Sequence, residues 1–205
     1  MKEIRHDILS DPGKFELICL PVSCYQKKDG SYPAQKGSML ESFAQMCPTL
    51  LTDLGGGVER YGNCPAILGS IPNTPIPTKF ITFPVAPTSL RAHNPNLYVY
   101  QRFQDKFKEN SVLPGWVLLP RSDMVEFAAI KLKQIMKFYK LTKVAIPFEM
   151  FTLERNDRED YVRIQKIINQ HITEGLYLVS KPMGDSKGVV HTNVQSSVTY
   201  EDEEA

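Results

Sequence analysis

No stretch of this 205-residue chain approaches the roughly 20 consecutive apolar residues that a membrane span requires. The opening Met1-Lys-Glu-Ile-Arg-His-Asp7 carries no apolar core of a secretory signal, so a leader is not expected. Charge of one sign is also missing. With 24 Lys+Arg against 23 Asp+Glu the formal net charge is +1, which argues against a global electrostatic grip on nucleic acid or membrane. Cysteine is sparse: Cys19, Cys24, Cys47 and Cys64 form no C-x-x-C pair, and no histidine stands at zinc-site spacing. A disulfide framework and a structural zinc are thereby set aside. Cys19, inside an apolar run, reads as a small hydrophobe, and a reducing, cytoplasmic setting accounts for all four thiols. The four histidines, His6, His93, His171 and His191, are scattered, and none has a nucleophile beside it that would form a catalytic pair. Gly55-Gly56-Gly57 lacks the Gly-Lys-Ser/Thr ending of a phosphate loop and follows no strand; it reads as a flexible turn. No catalytic residue, cofactor or metal is therefore assigned.

What is present suits one globular domain. Hydrophobic residues make up 42% and charged residues 23%, enough for a core of its own. Residues 4–9 read as a short strand ended by Asp11-Pro12-Gly13. Residues 15–22, Phe-Glu-Leu-Ile-Cys-Leu-Pro-Val, are almost continuously apolar, the mark of a strand covered on both faces. Helical spacing follows at Met39, Phe43 and Met46, limited by Pro48. Leu50 to Tyr61 reads as a second helix weakened by its three glycines. Strands are expected at 66–71 and 79–85. Residues 86–115, with Pro87, Pro95 and Pro114 among Tyr98, Tyr100, Phe103 and Phe107, read as an insertion packing its own aromatics against the body.

The strongest helix signal covers residues 123–139, with Asp123 and Glu126 as a capping box and Val125, Ala128, Leu132, Ile135 and Tyr139 as one apolar stripe. A buried strand at 143–147, a helix at 157–170 with Tyr161, Ile164, Ile168 and His171 inward, and a strand at 175–180 complete the domain. Residues 181–205 lose periodicity and end in Glu201-Asp-Glu-Glu204, which predicts a disordered, acidic-ended tail. Strands alternating with helices predict an α/β domain over residues 1–180: a mixed, mostly parallel sheet between two helical layers.

In such a sheet, ligands bind outside the carboxyl ends of the strands. Those ends lead into two loops, 23–36 and 148–158. The first ends in Lys36-Gly37-Ser38, where free N–H groups at a helix start can hold an anion, or where Ser38 simply caps the helix. The second is acidic, with Glu149, Glu154, Asp157, Glu159 and Asp160; a solvated loop explains these carboxylates as well as a metal or acid–base site does. Lys131, Lys133, Lys137, Lys140 and Lys143 make one helix locally basic, and a solvent face is preferred there to an RNA surface.

The order of these pieces resembles the macrodomain, the α/β fold that binds ADP-ribose, and most closely its bacterial and phage branch. The resemblance rests on His6-Asp-Ile-Leu9, Lys27-Lys-Asp-Gly30, Lys36-Gly37, Arg60-Tyr-Gly-Asn63, Phe80-Ile-Thr-Phe-Pro-Val85 and Val144-Ala-Ile-Pro147. It implies an adenine contact from Asp7 and a ligand site of Asp7, Ile8, Ser23, Gly30, Gly37, Ser38 and Phe148. The departures are specific. Ser23 falls near the position of the family's distal-ribose asparagine, and Phe148-Glu-Met-Phe-Thr-Leu-Glu-Arg-Asn156 replaces a glycine-rich phosphate loop. Side chains then stand where backbone must approach closely, and carboxylates where phosphate would sit. The expectation is a module binding ADP-ribose or a related nucleotide through an altered pocket, without efficient catalysis. The alternative is a degenerate macrodomain serving as a structural or protein-interaction module, its partner held by the 86–115 insertion.

Overall fold

Leu17–Ser23 is buried at every position, as its apolar run requires, and this strand (β2) lies inside a six-stranded sheet. The computed structural model describes residues 1–72, 74, 77–151 and 158–180. The other strands of the sheet are β1 (Lys2–Arg5), β3 (Ile67–Ser70), β4 (Lys79–Ala86), β7 (Val144–Pro147) and β8 (Leu176–Ser180). A separate antiparallel ribbon pairs β5 (Ser89–Arg91) with β6 (Val112–Pro114). The large sheet has the order β1-β8-β7-β2-β4-β3, parallel throughout except that β3 runs against β4. Helices α1 (Met39–Met46), α2 (Leu50–Tyr61), α3 (Ser122–Tyr139) and α4 (Arg158–His171) cover it.

The two-residue period of β2 divides the core into two layers. Leu17 and Cys19, with Ile81 and Phe83 of β4, pack against Val125 and Leu132 of α3 and Ile164 and Ile168 of α4. Ile18, Leu20 and Val22, with Phe80, face Phe43 of α1 and Leu50 and Leu54 of α2. Each such side chain contributes about 1.5–3 kcal/mol by leaving water. The sheet thus lies between two helical layers, as the sequence pattern predicts.

Several local expectations are corrected. β1 ends at Arg5, not at residue 9, because Asp7 folds the chain into a turn: its carboxylate accepts the Leu9 N–H at 3.2 Å and its carbonyl the Ser10 N–H at 3.2 Å. The capping box on α3 does not form. Arg121 stands at the N-cap with no side-chain cap bond and grips Asp123 through Nε at 3.0 Å and Nη2 at 2.8 Å, while Glu126 meets His171 at 3.1 Å. Tyr139 is 55% exposed, and Met136 closes the inner stripe in its place.

The three glycines are not a turn either; they lie within α2. A Cβ on Gly55 would stand 1.9 Å from the Gly30 carbonyl oxygen, so this glycine lets the loop after β2 press onto the helix. In the insertion, Ala92, Val99, Tyr100, Phe103 and Leu113 form a small core with Val117 and Leu118, and Trp116 packs edge-on against Phe103 at 5.2 Å. Among the described residues no helix is long and apolar enough to cross a membrane.

Candidate functional site

Because β1, β8, β7, β2 and β4 are parallel, their carboxyl ends share one edge. From β2 the chain crosses to β4 on one side, and it later returns to β7 on the other; the topological switch point therefore lies between β2 and β7. Their pairing is confined to Leu17–Val144 and Ile18–Ala145, whereas β2 pairs with β4 along its whole length. Pro21 and Pro147 bring no N–H to the ladder where the strands part. The two loops singled out in the sequence leave from these strands.

The first loop is fixed by internal bonds. Gly30 has φ +83°, its N–H donates to the Lys27 carbonyl at 3.0 Å, and its carbonyl accepts Gln26 Nε2 at 3.0 Å. Asp29 accepts the Ser31 N–H at 2.8 Å and hydroxyl at 2.6 Å; the Ser31 side-chain bond, then its backbone bond, hold this exposed carboxyl below its usual range. From Ser31 the chain turns inward. The Tyr32 ring is only 7% exposed, and burial pushes its phenol above the usual value. Its hydroxyl accepts the Ser23 N–H at 2.9 Å and lies 3.1 Å from Ser23 Oγ. Ser23, 5% exposed at the end of β2, therefore has both its N–H and its hydroxyl hydrogen-bonded within the protein itself.

The helix start after this loop is occupied in the same manner. Ser38 caps α1 by accepting the Glu41 N–H at 3.2 Å, and Glu41 Oε2 in turn accepts the Gly37 N–H at 2.5 Å. A carboxylate of the chain thus stands on the amide that a bound anion would use. Gly37 is at φ +76°, a conformation that glycine reaches without strain.

Asp7 is half-buried at the end of β1, and the next residue, Ile8, is buried in the layer that also holds Tyr32, Leu40 and, at its margin, Met150. The turns after β1, β2 and β7 therefore share one apolar cluster. Phe148 does not join it. Its ring centroid lies 3.7 Å from that of Tyr161, on the α3/α4 face of the sheet. Of the acidic residues after β7, Glu149 is half-buried in a short turn, Phe148–Met150. Glu154 and Asp157 lie outside the described residues, as does the tail of residues 181–205, and the side chains of Glu159 and Asp160 are not described. Among the described residues no group of three or more His, Cys, Asp or Glu is placed to hold a metal ion.

Two site residues escaped the sequence reading. Glu41 carried a signal: it follows Ser38 by three, the spacing of a capping box. Tyr32 carried none, being one of two tyrosines in a polar loop.

No protein-family model matches the chain, and no curated protein sequence matches it. Among solved structures it is similar to the macrodomain of Thermus aquaticus DarG, at 13% identity and TM-score 0.55, over 88% of this chain and 96% of that one. It is likewise similar to the macrodomain of Mycobacterium tuberculosis DarG, at 14% identity and TM-score 0.53, over 89% and 97%. A third similar structure is Thermosipho africanus DarTG in complex with ADP-ribose, at 10% identity and TM-score 0.53, over 88% of this chain and 41% of that one. With the sheet order and the three layers described above, these likenesses establish that the chain has the macrodomain fold.

Proposed function

We propose that the chain is a macrodomain-type module that binds ADP-ribose or a related nucleotide at the carboxyl edge of its sheet, without efficient hydrolysis. The observation that carries this reading is the position of Asp7: half-buried on the turn after β1, beside the apolar cluster of Ile8, with one carboxylate oxygen committed to the Leu9 N–H. An ionised carboxylate has acceptor capacity beyond one such bond, suited to an adenine amino group. In this reading Asp7 and Ile8 hold the adenine end. Gly30, Gly37 and Ser38 border the phosphate path, Ser23 borders the ribose, and Phe148 flanks the second loop. No residue is assigned a catalytic role, and the setting is cytoplasmic.

A second reading is favoured by a different observation. Ser23 and Gly37, the groups that would meet ribose and phosphate, are bonded by Tyr32 and Glu41. A macrodomain fold kept as a protein-interaction module needs no free groups there. Its partner would meet the 86–115 insertion, where Leu97 and Tyr98 are exposed.

Calorimetric titration with ADP-ribose at modest salt separates the two. Micromolar binding that Asp7→Ala abolishes, in a variant that still unfolds cooperatively, is the expected result. Absence of heat up to millimolar ligand from folded protein would remove the nucleotide reading and leave the interaction module.

A further inference from the structure

An open surface depression of about 340 Å³ lies at the opposite edge of the sheet, where α3 ends and the chain enters β7 and β8. That volume is within the range of roughly 300–1,000 Å³ typical of small-ligand sites. Its lining divides by chemistry. Met136, Leu141 and Ile172 supply an apolar floor, whereas Lys133, Lys137 and Lys140 stand around it with Glu174 as the one carboxylate of the lining. Three ammonium groups against one carboxylate leave the lining at +2.

Two further features shape it. Gly175, at φ +73°, lets the approach to β8 come so close that a Cβ there would lie 3.1 Å from Met136 Cε and 3.4 Å from Thr142 Cα. Lys140 closes α3 in the left-handed conformation, φ 54° and ψ 37°. Glycine is the usual residue at that position, because a side chain there is strained. Among the described residues the other non-glycine positive-φ positions are Asp105 and Asn110, types that tolerate it. A lysine at a strained cap is a departure from local preference, and such departures gather at functional positions. Attraction to the helix C-terminus accounts for lysines in the last turn, but Lys133 lies further back. Like charges around one concavity repel, and a bound dianion reverses that repulsion.

We infer that this depression is an anion site, separate from the switch point between β2 and β7, for a small organic phosphate. A phosphomonoester carries a charge near −2 at neutral pH, matching the lining, and lysine meets phosphate as a point charge. The phosphate lies among Lys133, Lys137 and Lys140, and the organic body covers Met136, Leu141 and Ile172. Beside the lining, Glu16 Oε2 is held on the backbone, accepting the N–H groups of Thr142 and Lys143 at 2.8 and 2.9 Å.

The test is calorimetric titration of the full chain with phenyl phosphate and, in parallel, inorganic phosphate. Saturable sub-millimolar binding of phenyl phosphate is expected, with inorganic phosphate weaker because it lacks the apolar body. Lys133→Gln and Lys140→Gly should each weaken it about tenfold, the order of a single charge-assisted contact. Lys140→Gly should at the same time raise the melting temperature, since glycine relieves the strained cap; its loss of binding then cannot come from misfolding. Asp7→Ala should leave phenyl phosphate binding unchanged while it abolishes ADP-ribose binding, so the two sites fail independently. Absence of saturable binding overturns the inference. So does binding unmoved by both lysine substitutions, or binding lost in Asp7→Ala.

Discussion

Gly55→Ala should destabilise the protein by about 2–4 kcal/mol, while Gly56→Ala, one residue on, should stabilise it by roughly 0.5–1 kcal/mol. Helix propensity alone predicts a gain at both, since alanine loses less backbone entropy than glycine inside a helix. What separates them is the surroundings. A Cβ on Gly56 meets nothing within 4 Å. On Gly55 it would stand 1.9 Å from the Gly30 oxygen, 2.9 Å from the Gly30 carbonyl carbon and 3.0 Å from the Ser31 carbonyl carbon, all backbone atoms that cannot swing aside. The loop must lift off α2, and with it the Tyr32 N–H bond to the Leu51 carbonyl, 2.9 Å long. Denaturant unfolding of both variants measures the two values. Gly55→Ala as stable as the parent would mean that the loop is not seated on α2.

This pair also shows where sequence reading stops. Three consecutive glycines carry one local message, flexibility, whereas the need for glycine at 55 comes from a contact with a residue 25 positions earlier in the chain. Elements whose cause is local or periodic were legible. The apolar run of β2 announced a central strand, and Val125, Ala128 and Leu132 announced the inner face of α3, because burial at fixed spacing is written in the sequence itself. Elements decided by a competing partner were not. Asp123 and Glu126 have the spacing of a capping box, but the helix starts one residue earlier, with Arg121 at the N-cap; Asp123 therefore stands inside the first turn, held by Arg121 through two nitrogens, and Glu126 meets His171.

The candidate site divides along the same line. Its location was legible, because loops after parallel strands are where such sheets bind ligands, and the switch point falls between the two strands whose loops drew notice. Its occupancy was not. Whether Ser23 and Gly37 are free for a ligand depends on where Tyr32 and Glu41 point, and both are supplied from the loop and helix that the site itself positions. This edge therefore has the frame of the fold with several of its polar contacts met from within.

Tyr32 is the residue on which that internal arrangement turns, and its substitution should carry the second large effect. Tyr32→Ala removes a ring buried among Ile8, Val22 and Leu40, and should cost about 3–5 kcal/mol. Tyr32→Phe keeps the ring and deletes only the hydroxyl, leaving the Ser23 N–H without its partner in a buried position; about 1–3 kcal/mol is expected. The double variant Tyr32→Phe, Ser23→Ala should recover part of that loss, since the Ser23 hydroxyl then has no unmet bond. The phenol also predicts a pH dependence. Burial raises its pKa in the folded state above the usual phenol value of about 10. The unfolded chain therefore gives up this proton first, and the contribution of Tyr32 is complete below about pH 10 and declines as pH rises toward the folded value. Urea unfolding followed from pH 8 to pH 11 should show stability falling at the alkaline end in the parent and falling less in Tyr32→Phe. Equal slopes in the two proteins would mean that the hydroxyl reaches solvent, and that the end of β2 is open to a ligand.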